Sequence, residues 1–374
     1  MEVLVCPNSM KGSLSAIDFA NAVIEGLKFS GITEVEKIPV ADGGDGTAEI
    51  LAHSLNAQFV ACKVNDPLGR DIESGFYLTS NNIAIIEMAS ASGLRLLNPN
   101  EYSAFYSSSF GTGQLIRDAV EKGAKKILLG VGGSATVDGG MGALMALGVK
   151  FFSSKEMLTQ GNGLTMGEVV DIQVDNASQL LNGVQIIILT DVINPLLGVD
   201  GAVPVFAPQK GIARDKVHGL ERNLSLFAGA VFQSTGKDIS KMKSGGAAGG
   251  IAASFHALLN AKIVDGASFI LSETGFYSNV NSVDAIITGE GLFDETSLSG
   301  KVTGEVIRFG MEIDIPVFVI CGKSNYRNQS LGIEVIELQN DSVDRAEAMR
   351  NAYSLIIEKS KVLGEKLKHY EQGN

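Results

Sequence analysis

Short runs of β-branched and other apolar residues alternate with stretches of helical period along almost the whole chain, and no other feature limits the fold as strongly. Strands are expected at Val3–Cys6, Val35–Pro39, Phe59–Val64, Gly75–Leu78, Ile83–Glu87, Lys126–Leu129, Val149–Phe152, Val184–Thr190, Ala285–Thr288 and Val317–Cys321. Between them, Ser15–Phe29, Gly46–Leu55, Gly111–Lys122, Gly140–Leu147, Arg214–Thr235, Ala247–Ala261 and Gly304–Phe309 read as helices. Asp344–Tyr370, charged on one side and apolar on the other, reads as a helix lying on a sheet. The pattern is that of parallel sheets covered by helices, an α/β protein. A length of 374 residues suits two domains. The turn-rich stretch Asn65–Asp71 and the stretch before Asp284 are the expected crossings. They predict a discontinuous α/β domain over residues 1–70 and 285–374, with a Rossmann/flavodoxin-like α/β domain over 71–284 inserted in it.

The formal charge is −12, which repels nucleic-acid phosphate and anionic membrane surfaces. Neither is an expected partner. An anionic substrate would have to be held by local Lys or Arg, helix N-termini or a bridging divalent cation. Cys6, Cys62 and Cys321 are widely spaced and odd in number, as expected of free thiols in a reducing cytoplasm. The opening MEVLVCPN has no basic region before its apolar run, and the longest apolar runs fall far short of about 20 residues, so neither a signal peptide nor a membrane span is expected.

Glycine, at 44 residues, clusters with Asp, Ser and Thr, which predicts loops shaped for close approach of backbone to ligand. Five such segments follow predicted strands, at the end where open α/β sheets bind ligands. In PNSMKGSLSA, Lys11 stands beside Ser13 and Ser15, either of which fits a helix N-cap, and a carboxylate or phosphate would suit that helix start. In ADGGDGTAE, Asp42 and Asp45 suit Mg²⁺ or a hydroxyl proton, although one of them fits equally well as a helix cap. In GVGGSATVDGG, Gly132 and Gly133 admit a phosphate to the backbone while Ser134 and Thr136 add donors; Gly139, Gly140 and Gly142 read as packing glycines.

The fourth segment, LTDVINPLLGVDGAVPVFAPQKG, ends a buried strand at Asp191, where a carboxylate is costly unless paired or used; Asn194 and Lys210 follow, and Asn194 fits an Asx turn equally well. The fifth, ITGEGLFDETSLSGKVTGEV, offers Glu290 and Asp294 with Lys301, a metal-plus-phosphate set by residue type. It is not a Walker A loop, since Glu295 stands where the first glycine belongs and Thr303 is one place late. The four histidines fall in predicted helices away from these loops, so any metal is expected to be hard and oxygen-ligated.

Together PNSMKGSLSA, ADGGDGT, DPLGR, IEMASASGL, GGSATVDGG, the NPLLG to APQKG run, GGAAGG and the GEG to GK run, in order from residue 7 to 301, resemble the bacterial glycerate kinase family. The resemblance implies two α/β domains, one discontinuous, with the site in the cleft between them. It also implies transfer of phosphate from ATP, with Mg²⁺, to D-glycerate, most often at the 2-hydroxyl. The chain departs from the family pattern at Val137, usually Asn, at Leu292, usually Arg, and at Thr296-Ser297, usually Gln-Thr, with Lys301 and Arg308 nearby as possible substitutes.

Phosphoryl transfer asks for charge neutralisation and positioning, so the residues take provisional roles. Asp42 or Asp191 is the acceptor-side base; Asp45, Glu290 and Asp294 are metal candidates; Lys11, Lys210 and Lys301 face anions; and Gly132 to Thr136, with Ser13 and Asn194, bind phosphate or substrate carboxylate. A dinucleotide-dependent oxidoreductase and a non-catalytic metabolite-binding relative are the alternatives. A homo-oligomer is compatible with all three.

Overall fold

The computed structural model describes residues 1–44, 46–298, 300–326, 332–339 and 344–371, the last three without their side chains. Asp45, Ser299 and the side chain of His369 therefore lie outside the described residues. The chain opens with β1 (Val3–Val5) and β2 (Val35–Lys37). It then forms β3 (Gln58–Asn65), β4 (Asp71–Leu78), β5 (Ile83–Glu87), β6 (Lys126–Gly130), β7 (Lys150–Phe152), β8 (Asp171–Gln173), β9 (Gln185–Thr190) and β10 (Lys262–Asp265). It returns with β11 (Ala285–Phe293), β12 (Val317–Ser324) and β13 (Glu334–Glu337). These strands fall into two compact units: residues 1–42, 49–54 and 266–374, and residues 43–48 and 55–265.

The smaller unit holds a parallel sheet ordered β13-β12-β11-β1-β2. Its strands alternate strictly between two cores. Val3, Val5, Ala285, Ile287, Phe318 and Ile320 face one side, which the helices Ala16–Phe29 and Ala352–Glu371 cover. Leu4, Cys6, Ile286, Val317, Val319 and Cys321 face the other, covered by the helix Val302–Glu312. Both faces are dry because successive side chains point to opposite sides and both sides are apolar. Numbered within the unit, the strand order is 2-1-3-4-5, the flavodoxin-like order, whose reversal point lies between β1 and β11.

The larger unit's main sheet runs β10-β9-β6-β5-β4-β3, parallel from β5 to β10 and antiparallel from β3 to β5. Its strand order is simply chain order, so the flavodoxin-like reversal expected in the inserted domain belongs instead to the discontinuous unit. The Asn65–Asp71 turn is no crossing: it closes the β3–β4 hairpin, with the Asp66 carboxylate accepting from the Leu68 and Arg70 amides at 2.8 and 2.9 Å. The other expected crossing moves from 285 to 266, because Ala267, Leu271 and Phe276 pack into the same core as Leu4 and Val319.

Candidate active site

In the smaller unit the polar side chains gather at the reversal point of the sheet, where adjacent parallel strands leave in different directions and open a crevice. Past the end of β1, the Asn8 amide nitrogen donates to Gly289 O at 2.8 Å, which seats the Asn8 side chain beside β11. From there Asn8 Nδ2 donates to Asp42 Oδ2 at 3.4 Å, and both residues are buried. Glu290, on β11, is buried as well, with Lys301 Nζ 3.9 Å from its Oε2. Burial holds the Glu290 carboxyl above the usual carboxylate range and the Asp42 charge adds to this, whereas the Lys301 charge opposes it. Neither Glu290 Oε1 nor Thr303 Oγ1 has a hydrogen-bond partner. Two acids, one of them with an unpartnered buried oxygen, thus lie near one ammonium.

The remaining expectations for this unit separate. Asp294 is bound up in its own turn: its Oδ1 accepts from Thr296 Oγ1 at 2.6 Å and Thr296 N at 2.9 Å, and these bonds hold its carboxyl low. These bonds tie Asp294 to its own loop. Ser15, not Ser13, caps the helix, accepting from Asp18 N at 3.0 Å, while Ser13 Oγ donates to Met349 O at 2.7 Å. Lys11 is exposed. Arg308 spends its guanidinium on Glu305 and Glu312 of its own helix and cannot stand in for the cation replaced by Leu292. Among the described residues no three His, Cys, Asp or Glu side chains are grouped to hold a metal ion. Asp42 and Glu290 still fit Mg²⁺, which is commonly held by one or two carboxylates plus phosphate oxygens, and the unpartnered Glu290 Oε1 is a ready donor.

In the larger unit three of the glycine segments meet. A Cβ on Gly132 would stand 2.4 Å from Gly44 Cα, and one on Gly43 would stand 3.1 Å from Leu189 O, so ADGG, GVGG and the end of β9 touch through bare backbone. Gly133 takes φ +68°. Lys210, expected to face an anion, is instead buried: Nζ donates to Ser134 Oγ and Thr136 O, both at 2.8 Å. Burial pushes its ammonium down to about 7, against the pull of Asp138. Lys210 therefore fixes the loop that carries Ser134, and Thr136, wholly buried, faces no solvent. Asn194 Nδ2 donates to Asp200 O at 2.8 Å, the turn-closing alternative. Asp191 is exposed, so the apolar run before it does not carry burial past the strand end.

Several residues of these constellations had no role in the sequence reading. Asn8 orients Asp42, and its signal was an amide directly after a strand and a proline. Asp138 is wholly buried and accepts from Ser109 N, Ser109 Oγ, Gly140 N and Gly142 N, anchoring the glycine-rich turn; an acid between glycines inside an apolar stretch was its signal. His256, set aside as remote, lines one cavity with Asp191.

A flavodoxin-like sheet with acids and a lysine at its reversal point, joined in one chain to a unit with a glycine-lined loop, defines an α/β enzyme equipped for anionic substrates. The chain belongs to the glycerate kinase family, whose profile matches residues 3–368. It is 37% identical over 325 residues to a glycerate kinase of Haemophilus influenzae, covering 86% of each chain. It is 33% identical over 324 residues to a glycerate 2-kinase of Escherichia coli, covering 86% of this chain and 85% of that one. A crystal structure provisionally described as glycerate kinase 2 from Salmonella typhimurium LT2 superposes with a TM-score of 0.86 at 30% identity, over 100% of this chain and 99% of that chain. No helix among the described residues is long and apolar enough to cross a membrane.

Proposed function

We propose that this protein transfers the γ-phosphoryl group of ATP to the 2-hydroxyl of D-glycerate, with Mg²⁺, in the cytoplasm. The observation that carries this reading is the buried Glu290 carboxyl with its unpartnered oxygen, set beside Asp42 and Lys301 at the sheet's reversal point in a chain of this family. Glu290, with Asp42 at its side, would hold Mg²⁺, which supplies charge neutralisation to the phosphates. Asp42, oriented by Asn8, takes the proton of the attacking hydroxyl. Lys301 counters the effect of burial on the Glu290 carboxyl and offers a donor to a phosphoryl oxygen. In the larger unit the Gly132–Ser134 loop, fixed by the Lys210 bond to Ser134, suits phosphate oxygens. Lys11, exposed in the turn that precedes the helix Ala16–Phe29, supplies the charge that the substrate carboxylate needs in a molecule that is otherwise acidic.

Side-by-side rates of ATP consumption with D-glycerate and with glycerol test the assignment. A carboxylate gives Lys11 a partner, whereas glycerol leaves that donor unmatched, so glycerol is expected to be turned over slowest by a wide margin. Equal rates for the two would remove the acid from the substrate description.

A further inference from the structure

The larger unit contains a cavity of about 620 Å³ to which none of the residue roles given above extends. It runs along the edge strand β10, from Asn260 before its start to Asp265 at its carboxyl end, and past the end of β9 to Ile193, with Met242, Lys243 and His256 in its wall. We propose that this cavity takes the nucleoside of the phosphoryl donor, an adenosine-like base and ribose, while the phosphates run toward the Gly132–Ser134 loop. This rests on the reading of the chain as an ATP-dependent kinase.

The volume lies in the range of about 300–1,000 Å³ typical of sites for drug-sized ligands, and a three-carbon acid would leave most of it to water. The chemistry of the wall points the same way. Ile193 is an aliphatic side chain 68% exposed, outside any core, and Met242 is a flexible thioether that suits a flat ring. A hydroxy acid has nothing to offer either of them. Asp265 is register partner of Thr190, so Asp191 and Asp265 stand at the ends of neighbouring parallel strands, where α/β nucleotide folds place the acid that accepts from ribose hydroxyls. Carboxylates suit a neutral sugar better than the carboxylate of glycerate. His256 is fixed in its ring orientation by Nδ1 against Ala261 O at 3.0 Å, which leaves its other ring nitrogen for polar recognition. β6, whose end carries the phosphate-receiving loop, lies two strands from β10 in the order β10-β9-β6, about 10 Å at the usual strand spacing. Base and phosphates of one nucleotide can therefore follow one sheet edge.

The test is Ile193→Asp, a change at an exposed position that leaves the core intact, studied with the full chain. KM for ATP is expected to rise about tenfold, the scale of a lost apolar contact sharpened by a new negative charge, with KM for D-glycerate at its wild-type value. Adenosine binding by calorimetry, which requires no turnover, should weaken equally. Unchanged ATP KM and adenosine affinity in an active wild-type background would overturn this proposal alone, as would a shift confined to the KM for D-glycerate. A wild-type protein that binds adenosine in this cavity but phosphorylates no glycerate would instead overturn the assigned reaction and leave the cavity's occupant standing.

Discussion

Asp42 and Asp191 are both aspartates directly after a predicted strand or its loop, yet their surroundings differ. Asp42 is buried, oriented by the Asn8 amide and close enough to Glu290 to raise its carboxyl, whereas Asp191 is exposed at the edge of the larger cavity. A general base must hold its oxygen still against the hydroxyl, and the Asn8 bond supplies that constraint to Asp42. Asp42→Asn should therefore lower kcat by about 10²-fold or more, with melting temperature nearly kept, while Asp191→Asn keeps kcat within a few-fold. The reverse pattern would move the base to Asp191. Lys210 illustrates the same lesson from the cationic side. The motif places it among anion binders, but Lys210 is buried and its ammonium is bonded to Ser134 Oγ and Thr136 O of a distant loop.

At the level of elements, the glycine loops act by allowing backbone to meet backbone. Gly132→Ala would put a methyl 2.4 Å from Gly44 Cα, and no flexible side chain is there to give way, so a loss of about 1–3 kcal/mol and displacement of the phosphate-receiving loop are expected. Gly229 is the control: it lies inside the helix Val217–Thr235 with nothing within 4 Å of an added methyl, so Gly229→Ala should stabilise by about 0.5–1 kcal/mol. Equilibrium unfolding of both variants checks the pair; a neutral Gly132→Ala would mean the contact is not needed. This contrast also marks what the sequence could reveal. Ile83–Glu87 was legible to the residue, because an apolar run bounded by turn residues has one simple solution. Strand order was not, since pairing β1 with β11 across more than half the chain depends on both faces of the sheet closing at once, a property of no local window. β10 escaped notice as a four-residue edge strand with charges at both ends. In the site, residue types and segments were readable, but burial beyond a strand end was not: the same apolar signal preceded buried Glu290 and exposed Asp191.

At the scale of the whole molecule, an acidic protein that handles anionic substrates must concentrate its positive charge locally, and the structure does so sparingly, with Lys301 beside Glu290 and Lys11 exposed on the same unit. Binding of glycerate should consequently depend on a divalent cation more than on the protein's own field, which works against it. The two units divide the chemistry in kind: acids at a sheet reversal point in one, glycine backbone and a nucleoside-sized cavity in the other. The most direct measurement is phosphorus NMR of the full-length protein incubated with ATP, Mg²⁺ and D-glycerate. The account predicts ADP and 2-phosphoglycerate appearing in equal amounts, and no ester when the cation is chelated. ADP with free phosphate and no glycerate ester, or no consumption of ATP at all, would contradict it.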